Sequence, residues 1–157
     1  MPEVLTNTWA RQVMAEHREL RADVARLREF LNAPRPAASR AGAHSWAAEL
    51  SSRLSALHDK LFRHFRLEEE GGMVEEVSTA HPRAAGEITR IVADHPRMLQ
   101  ETRELVGLTL DYSAARTPID VPLRRRVTAL LDWLEEHERD ETDLIQRVEY
   151  RDTAAAD

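Results

Sequence analysis

An all-α fold, an antiparallel up-down-up-down four-helix bundle, is what this sequence predicts. Three observations carry the prediction. Four long stretches repeat apolar residues in alternating steps of four and three, the spacing of a helix seam. Breakers rich in Pro and Gly separate them, and no stretch alternates with the two-residue period of a strand. The composition agrees: 157 residues with 32% charged, 5% aromatic and only 5 Gly suit one soluble helical domain with a real core.

The first helix, over about residues 7–33, starts after Thr6 or Asn7, either able to cap it. Its seam reads Val13, His17, Leu20, Val24, Leu27, Leu31. It stops before Pro34 and Pro36, and the segment to Gly42 reads as a loop. The second helix, 45–70, carries Leu50, Leu54, Leu57, Leu61, His64 and Glu68 in phase. Gly71-Gly72 ends it. Met73 to Val77 forms a short turn of helix, and Ser78 to Pro82 is a second breaker, with Pro82 placed as a first helical residue. The third helix, 83–112, shows Ile88, Ile91, His95, Met98 and Leu105 in phase. Pro96 interrupts it, either splitting the helix or kinking it so as to aim His95. Thr117 to Asp120 forms the last loop. The fourth helix, 120–150, reads Leu123, Val127, Leu130, Leu134, His137, Glu141, Leu144, Val148.

The net charge of −6 argues against nucleic acid as a partner, and the Arg124–Arg126 run reads as a solvated first turn. The chain has no Cys, which excludes disulfides, thiolate metal sites and Cys nucleophiles. No run is long enough to span a membrane and no signal peptide is legible, so a cytoplasmic location is expected.

Two stretches break the apolar pattern in the same way. His64-x-x-x-Glu68 and His137-x-x-x-Glu141 each place an imidazole and a carboxylate on one helix face, about 6 Å apart along the axis. His17 and His95 add one imidazole each on the other two seams. Loop midpoints set the heights, because residues equally far from a turn lie level in an antiparallel pair. The midpoints of His17/His64, His64/His95 and His95/His137 all fall in expected loops, so the four rings should meet in one layer. His58 falls about 120° off its seam, while His44 and His81 lie about 30 and 21 Å from the level of the layer.

A single His on an apolar seam is usually a hydrogen-bonded core residue. A layer of four with two carboxylates would have to satisfy every nitrogen and oxygen internally, since unpartnered buried polar groups are costly. Cations do this directly, and imidazole nitrogen with carboxylate oxygen suits iron, zinc or manganese. Six ligands exceed the four of a structural zinc site. They suit two metals, two His to each, with Glu68 and Glu141 bridging or leaning to one ion and a water-derived oxygen completing the cluster. A single metal on a subset of the six is the simpler alternative.

The succession of a lone His, His-x-x-x-Glu, a lone His and His-x-x-x-Glu on four helices resembles the hemerythrin-type (HHE) cation-binding domain, over about residues 10–150. The local sequence HFRLEEEGG is similar to that of bacterial members. The resemblance implies a non-haem di-iron centre of Fe–O–Fe type, with zinc or manganese as substitutes, that meets dioxygen, peroxide or nitric oxide. It implies His17, His64, His95 and His137 as terminal ligands and Glu68 and Glu141 as bridges. Leu99 stands where oxygen carriers have a further His, and the last carboxylate is Glu where carriers use Asp one residue later. The set is similar to that of iron-cluster repair proteins and of hemerythrin-like proteins with peroxide-related activity, and points away from reversible oxygen carriage.

Rival helical and hydrolytic sites lack their motifs. Met14, Leu61, Val92 and Leu134 stand where a Glu-x-x-His di-iron class would need Glu, and no His-Glu-x-x-His occurs. Two functions remain: a redox protein acting on a small oxidant or handling iron, and a sensor or metal-binding module read by a protein partner of unknown identity. The chain leaves no room beside the bundle for an output domain, which favours the first.

Overall fold

The computed structural model describes residues 7–34 and 39–156. They form α1 (Thr8–Asn32), α2 (Arg40–Glu70), α3 (Met73–Ala80), α4 (Ala85–Val92), α5 (His95–Ala114) and α6 (Val121–Ala156), with no strand among them. Helices α1, α2, α5 and α6 are the four rods of the expected bundle. Contacts between neighbouring rods run in opposite directions along the chain. His64 meets Glu16 while Trp46 stacks on Phe30. Glu69 meets His95 while His44 bonds Ser113. His95 meets His137 while Glu101 pairs with Arg126. Thr142 meets His17 while Arg124 bonds the Leu31 carbonyl. Each pair is antiparallel and the ring of four closes.

Several boundaries differ from the sequence reading. Asn7 holds the N-cap position of α1 without a side-chain cap bond; Thr6 and Pro36 lie outside the described residues. Helix α2 starts five residues before the expected Ser45, because the Ser39 hydroxyl accepts from the Gly42 amide at 2.9 Å. A good cap outweighs a glycine in the first turn, where it costs least. The expected turn at Met73 is a full helix to Ala80, running through Ser78. Pro82 stands in the turn before α4 rather than opening it. The third rod is split, not kinked: α4 ends at Val92 and α5 opens at His95, with Pro96 in its first turn. There the missing amide has no helical acceptor to lose. The Arg124–Arg126 run is not merely solvated, since Arg126 holds Glu101 and Glu104 and Arg124 holds the Leu31 carbonyl.

The core is in two parts. One cluster includes Leu20, Val24, Leu27, Leu50, Leu54, Leu61, Met98, Leu105, Leu130 and Leu134. The other includes Val13, Met73, Val77, Ile88, Ile91, Leu144 and Ile145 at the opposite end. On every rod the histidine of interest lies between them: His17 between Val13 and Leu20, His95 between Ile91 and Met98. Helix α3 helps close the second cluster, tied to α1 by the Trp9 indole donating to Glu76 at 2.6 Å. No helix among the described residues is long and apolar enough to cross a membrane.

The turn into α3 sets where α2 ends, just past Glu68. Gly72 has φ 107°, and a Cβ at Gly71 would lie 2.2 Å from the Leu67 carbonyl oxygen. A left-handed residue with a Cβ costs about 1–2 kcal/mol. Gly72→Ala should therefore lower the melting temperature by about 2–8 °C, measured by circular dichroism on metal-free protein.

Candidate metal centre

Helical phase delivers six side chains to one point. His17 comes from α1, His64 and Glu68 from α2, His95 from the first turn of α5, His137 and Glu141 from α6. All six are buried, Glu68 and Glu141 to within 1%. They form two groups of four with potential ligand atoms within 4.8 Å of one another: His17, His64, Glu68, Glu141, and Glu68, His95, His137, Glu141. The rings pair accordingly, with His17 and His64 centroids 5.0 Å apart and His95 and His137 also 5.0 Å apart.

Both carboxylates stand between the pairs. Glu68 turns Oε1 to His64 Nε2 at 2.7 Å and His17 Nε2 at 3.4 Å, and Oε2 to His95 Nε2 at 3.3 Å. Glu141 turns Oε1 to His137 Nε2 at 3.1 Å and His95 Nε2 at 3.4 Å, and Oε2 to His17 Nε2 at 3.2 Å. Each carboxylate thus offers one oxygen to either imidazole pair.

The outer edges of three rings are anchored. His64 Nδ1 lies 2.8 Å from Glu16, His95 Nδ1 3.2 Å from Glu69, and His17 Nδ1 3.0 Å from the Thr142 hydroxyl. Thr142 in turn donates to Glu138 at 3.0 Å. With a cation bound, a proton held at Nδ1 by an outer carboxylate would leave Nε2 as a lone pair facing inward, the arrangement that metal-ligating histidines use. Phe65 lies flat on His95, centroids 3.8 Å apart at 4°, and walls the layer on the side of the first core cluster.

Without a cation this layer is poorly satisfied. Glu68 Oε2 and Glu141 Oε2 are buried without a hydrogen bond of good geometry, and two Nε2 atoms, of His95 and His137, face each other at 3.2 Å. Burial and the neighbouring Glu141 charge push the Glu68 carboxyl well above the usual range. Burial acts on Glu141 in the same direction, but hydrogen bonds from His137, His17 and His95 outweigh it and hold that carboxyl well below the usual range. His17 is raised: burial opposes its charge, but its bonds to Glu141 and Glu68 prevail. Four inward nitrogens and two shared carboxylates, with oxygens left over, fit cation ligation better than they fit one another.

The comparison with family models decides the ancestry. The model described as Hemerythrin HHE cation binding domain matches residues 10–148. The chain belongs to that family. Searches of curated proteins and of solved structures find no match. Membership implies cation binding, and the His and Glu cluster is where this chain gathers the side chains for it.

The structure brings together all six residues singled out in the sequence and none of the three controls. His44 bonds Ser113 at the far end of α5, and His58 faces Asp59 at 3.5 Å. Tyr112 bonds Asp120, and Tyr150 is 64% exposed, so neither tyrosine belongs to the cluster. Leu99 packs on the first core cluster. The four rings meet in one layer as expected, although the His17/His64 and His64/His95 midpoints fall inside α2 and α3 rather than in loops. Glu16, Glu69, Thr142 and Phe65 were not foreseen. Glu16 and Glu69 each adjoin a seam residue, His17 and Glu68, and reach across to the ring on the next rod.

A buried carboxylate held for a cation is a liability in its absence. Metal-free Glu68→Met should melt no lower than the metal-free parent while losing metal binding. A fall of several degrees in a differential scanning comparison would show instead that Glu68 is a satisfied structural group.

Proposed function

We propose that the chain is a non-haem di-iron protein, holding two iron ions between its histidine pairs and acting on a small oxidant such as O2, H2O2 or NO. His17 and His64 would ligate one ion, His95 and His137 the other, and Glu68 and Glu141 both. The observation that best supports this is the split of each carboxylate between the two pairs. Zinc or manganese would fit the same donor set; the family resemblance favours iron.

Bound iron supplies electron exchange with the oxidant; the remaining tasks fall to this chain's own residues. Glu16, Glu69 and Thr142 keep protons at Nδ1, fixing each ring's direction and raising the basicity of its inner nitrogen. Phe65, Leu20, Val24, Leu61 and Leu134 line a largely apolar pocket of about 20 Å³ that reaches His64 and His137, with Arg21, Glu135 and Glu138 also in its lining. Its size suits one diatomic ligand and its walls disfavour bulk water. Leu99 stands where oxygen carriers have a further His, so each ion would keep room for an exogenous ligand, which favours reaction over storage of the ligand. A place in cytoplasmic defence against oxidative or nitrosative stress, or in iron handling, follows from this chemistry.

Elemental analysis of protein purified without added metal should give two iron ions per chain, with Glu68→Ala and Glu141→Ala each losing at least one. Substoichiometric metal unaffected by Glu68→Ala would contradict the centre. Iron-loaded protein should consume peroxide or nitric oxide faster than His64→Ala; equal rates would instead assign the protein to sensing or simple binding. Glu16→Gln should weaken metal affinity about 10–100-fold with little change in metal-free melting, as read by chelator competition.

A further inference from the structure

The layer has a second approach, and it is unlike the apolar pocket. A cleft of about 400 Å³ opens between α4, the start of α5 and α6, lined by Glu87, Arg90, Asp94, Trp133, Glu136 and Asp140. Its inner wall includes His137. Glu87 is engaged by Arg147 and Asp94 by Arg97. Glu136 and Asp140 are exposed, and no ion pair among the described residues claims them. Glu136 and Asp140 stand four residues apart on α6 and so share one helix face, and both line the cleft beside His137.

His137 is also the odd member of the layer. It is 6% exposed, and its Nε2 faces inward to His95 and Glu141. Its Nδ1 has no hydrogen-bond partner among the described residues, whereas the outer nitrogens of His17, His64 and His95 are all held. A ring held at both edges is fixed; a ring held at one can swing. The unanchored ring is the one that separates the acidic cleft from the buried carboxylates.

We propose that this cleft is the route by which divalent cations reach the centre, with Glu136 and Asp140 gathering the hydrated ion and His137 turning aside to admit it. The proposal rests on the di-metal reading of the centre. It divides traffic between two faces: charged ions pass the polar cleft, and small uncharged ligands use the apolar pocket. A fully buried pair of carboxylates with no polar path to water would load slowly, because an ion sheds hydration at a cost that only successive oxygen ligands offset.

Cobalt(II) uptake by the metal-free full-length chain tests it, followed by stopped-flow absorption. Paired Glu136→Gln and Asp140→Asn should slow the second-order rate about tenfold and weaken its dependence on ionic strength, with the end-point still two cobalt ions per chain. Paired Glu49→Gln and Asp59→Asn, which remove the same charge on the exposed face of α2, should leave the rate within about twofold. Equal slowing by both pairs, or no slowing by the first, would overturn the cleft as the route while leaving the centre standing. An unmutated chain that takes up no cobalt would overturn the centre and the route together.

Discussion

Four imidazoles and two carboxylates occupy one level of this bundle, and the core above and below them is apolar. That layer is the constraint on which the remaining features turn. It lies between the two clusters into which the apolar core is divided. In most bundles a continuous apolar seam sets the register of the rods by packing. Here the register is set also by chemistry, since a slip of one residue would carry any of the six groups about 100° around its helix and out of reach. The molecule gives up apolar burial at its centre and keeps two carboxyl oxygens without partners there, a cost that a bound cation would relieve.

The split of the third rod serves the layer. A continuous helix through Pro96 would lose a hydrogen bond and clash with the preceding turn. Ending α4 at Val92 removes both penalties and lets His95 open a new helix, its ring stacked on Phe65 and its outer nitrogen on Glu69. The Gly71-Gly72 turn does similar work at the end of α2, stopping the helix one residue after Glu69 so that α3 can cover the second core cluster.

What the sequence made legible was what helical periodicity encodes: the four seams, and the six polar residues that replace apolar ones on them. What it left illegible depended on competition between weak local preferences. Ser39 against the glycine of the first turn decided where α2 begins, and Pro96 was compatible with a kink or a break. The outer groups were hidden for a different reason. Glu16 and Glu69 sit off the seams, in positions that look like ordinary wet surface, and only the antiparallel placement of neighbouring rods shows that each reaches a histidine on the next. The two faces of the centre, one apolar and one acidic, are likewise properties of packed helices and of no single stretch.

The proposed function depends most on two cations sharing the same two carboxylates. Iron-edge X-ray absorption of the iron-loaded protein tests this most directly. A first shell of nitrogen and oxygen with an iron–iron vector within about 4 Å is the predicted result. A single isolated iron, with no metal–metal scattering at full loading, would contradict it.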